Sequence, residues 1–556
     1  MASLTDASGN RTLFAYDLKG RLVAETDPLG KAKTYTYDED GNVLTTTNRR
    51  GQTIQYVYDQ AKRRIRRATP ERTISYGYNL VDQLTSIGSI YLSYDLAGRL
   101  LTYQDPLASF GFSYDAAGNL IRVSDNLASQ QSRAYAYDAL NRVIRLTAAG
   151  SEIFQFTYDA VGRRGTLAYP NGMVASYTYS ARGELRDLEY VKDSQSLSRF
   201  RYEYDAVGRR TALTDSYGRH EFAYDEAGQV TAARWQQMGK ERFGYDASGN
   251  MLFNREYDFT YGAGNRLLSY ACDNVRFTYD DDGNVSSKST PEGTTQYQWD
   301  SENRLIGITK PDGTVIAYQY DELGRRIGKT VGPQQWRWSY LGQEIHRESS
   351  WSGLRFYTHG TGIDEHLSMG SNYYVADGLG SIRQIVGAGG NLLNQYRYTA
   401  FGKMKQVQAA VGNTYAFTAR EWDADAGLYY YRARWYDPDV GRFLARDPIG
   451  FAGGDIDLYG YCLNDPVSLV DPEGEAWWVP AVAAVLVGII VWEEIVYPLL
   501  HPEPYMPTPH VEPPEPEVED PNKPCPLPDS QKQKPPKRPP KQQVPPPRIP
   551  KPPRAR

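Results

Sequence analysis

The chain is poor in the residues that most often carry metal and redox chemistry. Its 556 residues include three cysteines, six histidines and seven methionines. Cys272, Cys462 and Cys525 lie far apart with no Cys-x-x-Cys spacing, and give neither a disulfide framework nor a zinc knuckle. The histidines are scattered, and no His-Glu-x-x-His or comparable ligand pair occurs, so no metal and no cofactor are expected. No glycine-rich phosphate loop opens a helix after an apolar strand. Charge of one sign is also lacking: a net −5 gives no electrostatic case for nucleic acid as a partner. No basic stretch followed by an apolar run opens the chain, so no secretory signal is visible. Helical periodicity is scarce over residues 1–420.

Tyrosine, by contrast, is abundant, with 45 copies, and it recurs in a pattern. The clearest repeats read YDLKGRL from Tyr16, YDEDGNV from Tyr37, YDLAGRL from Tyr94, YDAAGNL from Tyr114, YDAVGRR from Tyr158 and Tyr204, YDEAGQV from Tyr224, YDDDGNV from Tyr279 and YDELGRR from Tyr320. Diverged copies lie between them, including YDQAKRR at Tyr58, YDALNRV at Tyr137 and WDSENRL at Trp299. The usual step is 20 or 21 residues, as in the series Tyr16, Tyr37, Tyr58, Tyr78. A step of that size predicts one small supersecondary unit stacked many times, each burying its face on its neighbours. Alternation before each Asp, as in Tyr35-Thr36-Tyr37, predicts a strand with both aromatics on one face. The Asp that follows accepts turn amides, Gly three residues on takes a positive φ, and an apolar residue starts the return strand. Tyrosine and aspartate are thereby read as sheet packing and turn chemistry. Length alone allows about three or four domains, but the repeat argues for one continuous array over residues 1–420. The array begins mid-repeat, at Asp6-Ala7-Ser8-Gly9-Asn10, either as a piece of a longer product or as a short member of its kind.

Past residue 330 the pattern changes. YYVADGLGSIR from Tyr373 and YTAFG from Tyr398 lead into FTAREWDADAGLYYYRARWYDPDVGRFLARDPIGFAGGDIDLYGYCLNDPVSLVDPEG, residues Phe417 to Gly474. With GRFLARDPIG and DPEG at compatible distances, this block resembles the core that closes the Rhs and YD-repeat polymorphic toxins. It is also similar to the C component of insecticidal toxin complexes. The resemblance covers about 470 residues, weakly through each repeat and strongly through the last sixty. It implies an all-β fold: a YD-repeat β-hairpin array wound into a hollow shell, complete or incomplete, with the core as an inward plug. It further implies a self-cleaving aspartyl protease that severs a variable C-terminal segment after the DPxG motif. Carried over, the carboxylates are Asp447 in ARDPIG and Asp471 in VDPEG, the supporting cation is Arg434 in RARWYDP, and the cut falls between Glu475 and Ala476.

Two neighbouring carboxylates share a proton, so the ionised one can activate water while the protonated one polarises the carbonyl. Asp before Pro is equally a turn starter, and the block holds four such pairs, at Asp437, Asp447, Asp465 and Asp471. The family motif ends in leucine where this chain has Glu475. An acid there raises the dyad's pKa and fills an apolar pocket poorly, so cleavage is expected to be slow or absent.

The domain reading is 1–330 repeat array, 331–420 terminal repeats, 421–474 core and autoprotease plug, 475–500 apolar variable segment and 501–556 proline-rich tail. Residues 476–492 run 17 in a row without charge. As a helix they span about 26 Å, a little short of a hydrocarbon core. They are read as an apolar segment packed within the shell, as a membrane contact, or as a partner-binding helix. The tail holds 21 of the 34 prolines in residues 502–556, and is expected to be disordered or polyproline II.

The resulting expectation is the shell-forming C-terminal part of an Rhs-type polymorphic toxin. Its cargo is its own C-terminal segment, with a secretion-system component and an immunity protein as further partners. It stays cytoplasmic until export and is then secreted or envelope-associated. The alternative is a cell-surface YD-repeat protein that binds carbohydrate through exposed tyrosines.

Overall fold

The repeat folds as strand, tight turn, strand, and the pair Ile153–Tyr158 and Arg164–Ala168 shows why. Asp159 closes the turn twice over. Its backbone N–H donates to the Arg163 carbonyl at 2.8 Å, and its carbonyl accepts the Gly162 N–H at 3.0 Å. Its Oδ1 accepts the N–H groups of Val161 and Arg163 at 3.1 and 2.9 Å, and its Oδ2 accepts Arg163 Nε at 2.7 Å. The register shifts between Thr157 and Tyr158, and this bulge re-aims the tyrosine toward the preceding repeat. There its hydroxyl donates to the Val143 carbonyl at 2.7 Å. The Arg163 guanidinium in turn lies 4.4 Å over the ring of Tyr179 in the following repeat. Each unit is thus stitched backward by its tyrosine and forward by its arginine.

The same tyrosine bond recurs at Tyr37, Tyr114, Tyr204, Tyr224, Tyr279 and Tyr320. Where the repeat reads Trp299-Asp300, the indole Nε1 donates to the Val285 carbonyl at 2.7 Å, which explains the exchange of Tyr for Trp. In these repeats the ring's polar atom is spent on backbone of the preceding repeat.

Gly162 and Gly208 both sit at φ +91°. Repeats without glycine place Asn141, Asn303, Asp82 or Lys62 in the left-handed region instead, and none of these is β-branched. Replacing Gly162 or Gly208 by Val is expected to lower stability by about 1 kcal/mol or more, read by chemical denaturation and limited proteolysis. Unchanged unfolding in both variants would show that the turn tolerates any residue.

The computed structural model describes residues 2–475 except 127–130, 149 and 151. The apolar segment 476–492, Ala476 itself and the proline-rich tail lie outside the described residues. Within them the fold is all β. A 24-stranded antiparallel sheet (Ala2 to Arg242) is followed by a two-stranded one (Gly244 to Phe253), a 16-stranded one (Phe259 to Ala409) and a four-stranded one (Glu421 to Phe443). The longest helical piece among the described residues is the 3-10 turn Gly450–Gly453. The array expected to be continuous is interrupted between Phe243 and Asp258. There the short strand Met251–Phe253 is linked onward by a single bridge, Phe253 with Asp258.

The chain comes back onto its own beginning. Asn265 Nδ2 donates to Asp6 Oδ2 at 3.0 Å, 259 residues earlier. From that point the second part of the array runs beside the first in the same direction. Arg50 pairs with Asp282 at 2.6 Å, His346 with Asp125 at 2.9 Å, Arg164 with Glu365 at 2.6 Å and Arg383 with Asp215 at 2.6 Å. The separation in sequence falls to 221 at Asp125–His346 and to 159 where the Ala400 N–H meets Glu241. The second pass therefore consumes fewer residues than the first, and the winding tightens. One apolar cluster joins both passes, and a second, rich in Tyr415, Tyr429, Tyr431, Tyr436 and Tyr461, gathers the terminal block.

Candidate functional site

The site is assembled by three short elements of the terminal block. The strands Leu428–Tyr431 and Arg434–Asp437 form a hairpin with Arg434 opposite Tyr431. Arg434–Asp437 also pairs with Arg442–Phe443, which brings the Phe443 ring 3.7 Å beneath the Arg434 guanidinium. The stacked cation is buried and points at two turns. One begins at Asp447, whose N–H donates to the Leu458 carbonyl at 2.8 Å and whose Oδ1 accepts the Ile449 N–H at 3.0 Å. The other begins at Asp471, whose Oδ1 accepts the N–H groups of Gly474 and Glu475 at 2.8 and 3.0 Å. Each aspartate spends one oxygen as a turn starter and leaves the other for Arg434. Its NH2 nitrogen lies 3.0 Å from Asp447 Oδ2 and 3.3 Å from Asp471 Oδ2. The other two Asp-Pro pairs are elsewhere: Asp437 meets Lys288 at 2.9 Å, and Asp465 caps the turn at Ser468.

The segment that leads to Glu475 is laid against Arg432–Arg434 by three successive carbonyls. The Pro472 carbonyl accepts Arg432 at 2.5 Å, the Glu473 carbonyl accepts the Ala433 N–H at 3.0 Å, and the Gly474 carbonyl accepts Arg434 Nε. Gly474, at φ +72°, has no room for a side chain beside the Tyr431 carbonyl. The fourth carbonyl, that of Glu475, and Asp447 Oδ2 both border Gly453. A methyl group at Gly453 would stand 2.6 Å from the Glu475 carbonyl oxygen and 2.9 Å from Asp447 Oδ2, so both oxygens face the space that glycine leaves.

Burial pushes the Asp447 carboxyl up to about 7, against the pull of Arg434, and the charge of Asp471 adds to the rise. Glu475 is likewise pushed up to about 7, by burial first and then by the charges of Glu473 and Asp447. Its surroundings mix charged side chains with Tyr76, Leu323, Tyr340, Tyr430 and Pro448. Glu475 lines a cavity of about 380 Å³ shared with Arg64, Arg67, Arg304, Arg325, Glu302 and Glu473. An acid is at less of a disadvantage in such a place than among hydrocarbons.

The sequence reading passed over Phe443, Ala433 and Gly453. The last carries a signal of its own, because paired glycines after DPIG mark a close backbone approach. One further cluster was passed over as scattered histidines: His359 and His366 meet Glu344.

The teneurin YD-shell family model matches residues 2–170, 89–221 and 214–467. Among curated proteins, Double-stranded DNA deaminase toxin A of Burkholderia cenocepacia (strain H111) is 32% identical over 320 residues, 50% of this chain and 22% of that protein. The tRNA nuclease WapA of Bacillus subtilis (strain 168) is 32% identical over 216 residues, 36% of this chain and 9% of that protein. Toxin protein Tse5 of Pseudomonas aeruginosa is 25% identical over 350 residues, 49% of this chain and 26% of that protein. The chain thus spans only a minor part of each relative's length. Among solved structures, TcdB2-TccC3-TEV matches with a TM-score of 0.70 at 20% identity, covering 83% of this chain and 28% of that one, a likeness of fold. Stitched repeats, terminal block and a family match over most of the described residues together mean that the chain belongs to the teneurin YD-shell family, as an Rhs/YD-repeat protein.

Proposed function

We propose that this chain is the shell-forming part of an Rhs-type polymorphic toxin that encloses and delivers its own C-terminal segment. Array 1–420 forms the wall, core 421–474 the plug, and residues from 475 onward the cargo. Three of the relatives carry names of toxins or nucleases, and each is far longer than the matched segment. A secretion-system component, an immunity protein and a membrane contact through 476–492 are the partners this role calls for, with release from the producing cell before action.

In this reading Asp447, Asp471 and Arg434 cut the Glu475–Ala476 bond. The observation that supports it is the row of three held carbonyls that leads the chain to Glu475, whose carbonyl oxygen and Asp447 Oδ2 border the same glycine, Gly453. Asp471, which accepts two N–H groups and faces Arg434, is the partner suited to hold negative charge and take a proton from water. Asp447, with its proton, donates to the Glu475 carbonyl oxygen as the water oxygen attacks the carbon. Collapse breaks the C–N bond, the amine of Ala476 takes the proton held by Asp471, and Asp447 recovers its own.

Cryo-electron microscopy of the purified full chain, with limited proteolysis in parallel, tests the enclosure. The expected result is a hollow particle with internal density and a C-terminal segment that survives protease until the particle is opened. An open sheet with a segment digested at once would overturn it. If tyrosines also lined solvent grooves, the carbohydrate-binding alternative would replace it.

A further inference from the structure

We propose that Glu344, His359 and His366 form a binding site for a transition-metal dication of the zinc class. The two histidines face each other across the hairpin of strands Gly353–His359 and His366–Met369. Their Nδ1 atoms are 2.8 Å apart. Glu344, from the adjoining strand Glu344–Ser350, places Oε2 3.8 Å from each of them. Both imidazoles are buried, and the three ligand atoms lie within 4.8 Å of one another.

Counting hydrogens shows that something is required between the rings. His359 Nε2 lies 2.7 Å from the Ile345 carbonyl oxygen, and His366 Nε2 lies 2.8 Å from that of Ala419. A carbonyl oxygen only accepts, so each Nε2 must carry a hydrogen. A neutral imidazole has only one. Both Nδ1 atoms then turn lone pairs on each other at hydrogen-bond distance. Three contacts need three hydrogens, and two neutral rings bring two. Shifting a hydrogen from Nε2 to Nδ1 only moves the clash to a carbonyl.

A cation between the Nδ1 atoms removes the conflict. A third proton held between the rings would also remove it, and the zinc stoichiometry measured below tells the two apart. A metal ion binds through the lone pairs themselves. Nε2–H on a backbone carbonyl is the usual outer partner of a ligating histidine. Two imidazole nitrogens and a carboxylate suit zinc, whose bonds to nitrogen are about 2.0–2.1 Å. At that length the present separation subtends roughly a right angle, and an opening of about 0.5 Å makes it tetrahedral.

The surroundings are arranged around this acid. Arg432 holds Glu344 Oε1 at 2.9 Å, leaving Oε2 for the ion, and it also holds Asp364 Oδ1 at 2.8 Å. Asp364 Oδ1 also pairs with Arg420 at 2.5 Å, and its Oδ2 is buried without a hydrogen-bond partner. The same Arg432 donates to the Pro472 carbonyl, so an ion at Glu344 would fasten array, terminal block and DPEG turn to one another.

The test uses the full chain, stripped with chelator and dialysed against zinc chloride or, separately, cobalt chloride. We expect about one equivalent of zinc by elemental analysis, a higher Tm with zinc, and visible absorption of low-coordinate cobalt. Glu344→Gln and the double change His359→Gln with His366→Gln should each lose the cobalt spectrum. Wild-type chain that retains well under one equivalent would overturn the site without recourse to any variant. So would unchanged binding in a double variant whose circular dichroism is native, because the ion would then be held elsewhere.

Discussion

The Glu475→Leu chain should release a fragment spanning residues 476–556, and the release should depend on both aspartates. Leucine removes an acid that shares the dyad's surroundings, while the three carbonyl bonds that hold Pro472 to Gly474 do not involve the side chain at 475. Adding Asp447→Asn or Asp471→Asn should abolish the release, because an amide neither takes a proton from water nor holds the one to be shared. Intact mass spectrometry of the wild type, Glu475→Leu and the two combinations decides it. Cleavage that survives either asparagine would remove the aspartyl mechanism.

The pH dependence follows with a definite sign. Asp447 and Glu475 are both raised to about 7, so both gain protons as pH falls through that value. The wild type should therefore cleave slowly at pH 8 and measurably faster near pH 6, where Glu475 has lost its charge and Asp447 holds its proton. The Glu475→Leu chain keeps only the Asp447 part of this dependence, so its profile should be flatter. A wild-type rate that climbs from pH 6 to pH 8 would contradict the assignment of Asp447 as the protonated partner.

The second large effect concerns stability. Arg326→Met should cost about 3–5 kcal/mol, because it leaves buried carboxylates without their partner. Arg326 pairs with Glu421 at 2.6 Å and Asp423 at 3.4 Å, and its guanidinium lies over the rings of Trp338, Tyr430 and Trp435 at 4.5, 4.7 and 5.1 Å. Lys329 still serves Asp423 after the change, but Glu421 is left with Arg420, at 4.0 Å, and the charge of Arg432. Burial already pushes the Glu421 carboxyl up. Without Arg326 it should bind a proton more readily still, so the loss should shrink as pH is lowered. Adding Glu421→Gln to Arg326→Met should restore part of the stability. Urea unfolding of the three variants reads this out. An Arg326→Met chain within 1 kcal/mol of wild type would mean that the remaining ties, Lys329 with Asp423 and Lys288 with Asp437 among them, hold the terminal block to the array without it.

The fold was legible because a single repeat contains its own instructions. Alternation, an Asp that closes the turn and a glycine at positive φ are all local, and nine clear copies average out the diverged ones. What was not legible is how one pass of the array meets the next. Asp125 and His346, or Arg164 and Glu365, look like ordinary polar residues of separate hairpins. Their pairing follows from the closing of a long path rather than from any local pattern.

The site divides in the same way. Asp447, Asp471 and Arg434 were named through resemblance, since spacing alone does not separate these aspartates from Asp437 and Asp465. Only the strand register that sets Phe443 beneath Arg434 tells which pair shares a cation. The histidines were invisible for a related reason. His359 and His366 oppose each other through hairpin register, and their shortage of hydrogens appears only once the carbonyls of Ile345 and Ala419 are in place.

The tightening of the winding has a consequence for how such a chain can change its length. Two passes of unequal step lie beside each other like the scales of a vernier, and ion pairs occur where the graduations coincide. Arg50 with Asp282, Arg164 with Glu365 and Arg383 with Asp215 are three such coincidences. Inserting one repeat early in the first pass would slide every later graduation by a whole division and set arginine against the wrong neighbour along the entire seam. The array is thus its own gauge. A change within the overlap therefore demands a matching change in the other pass.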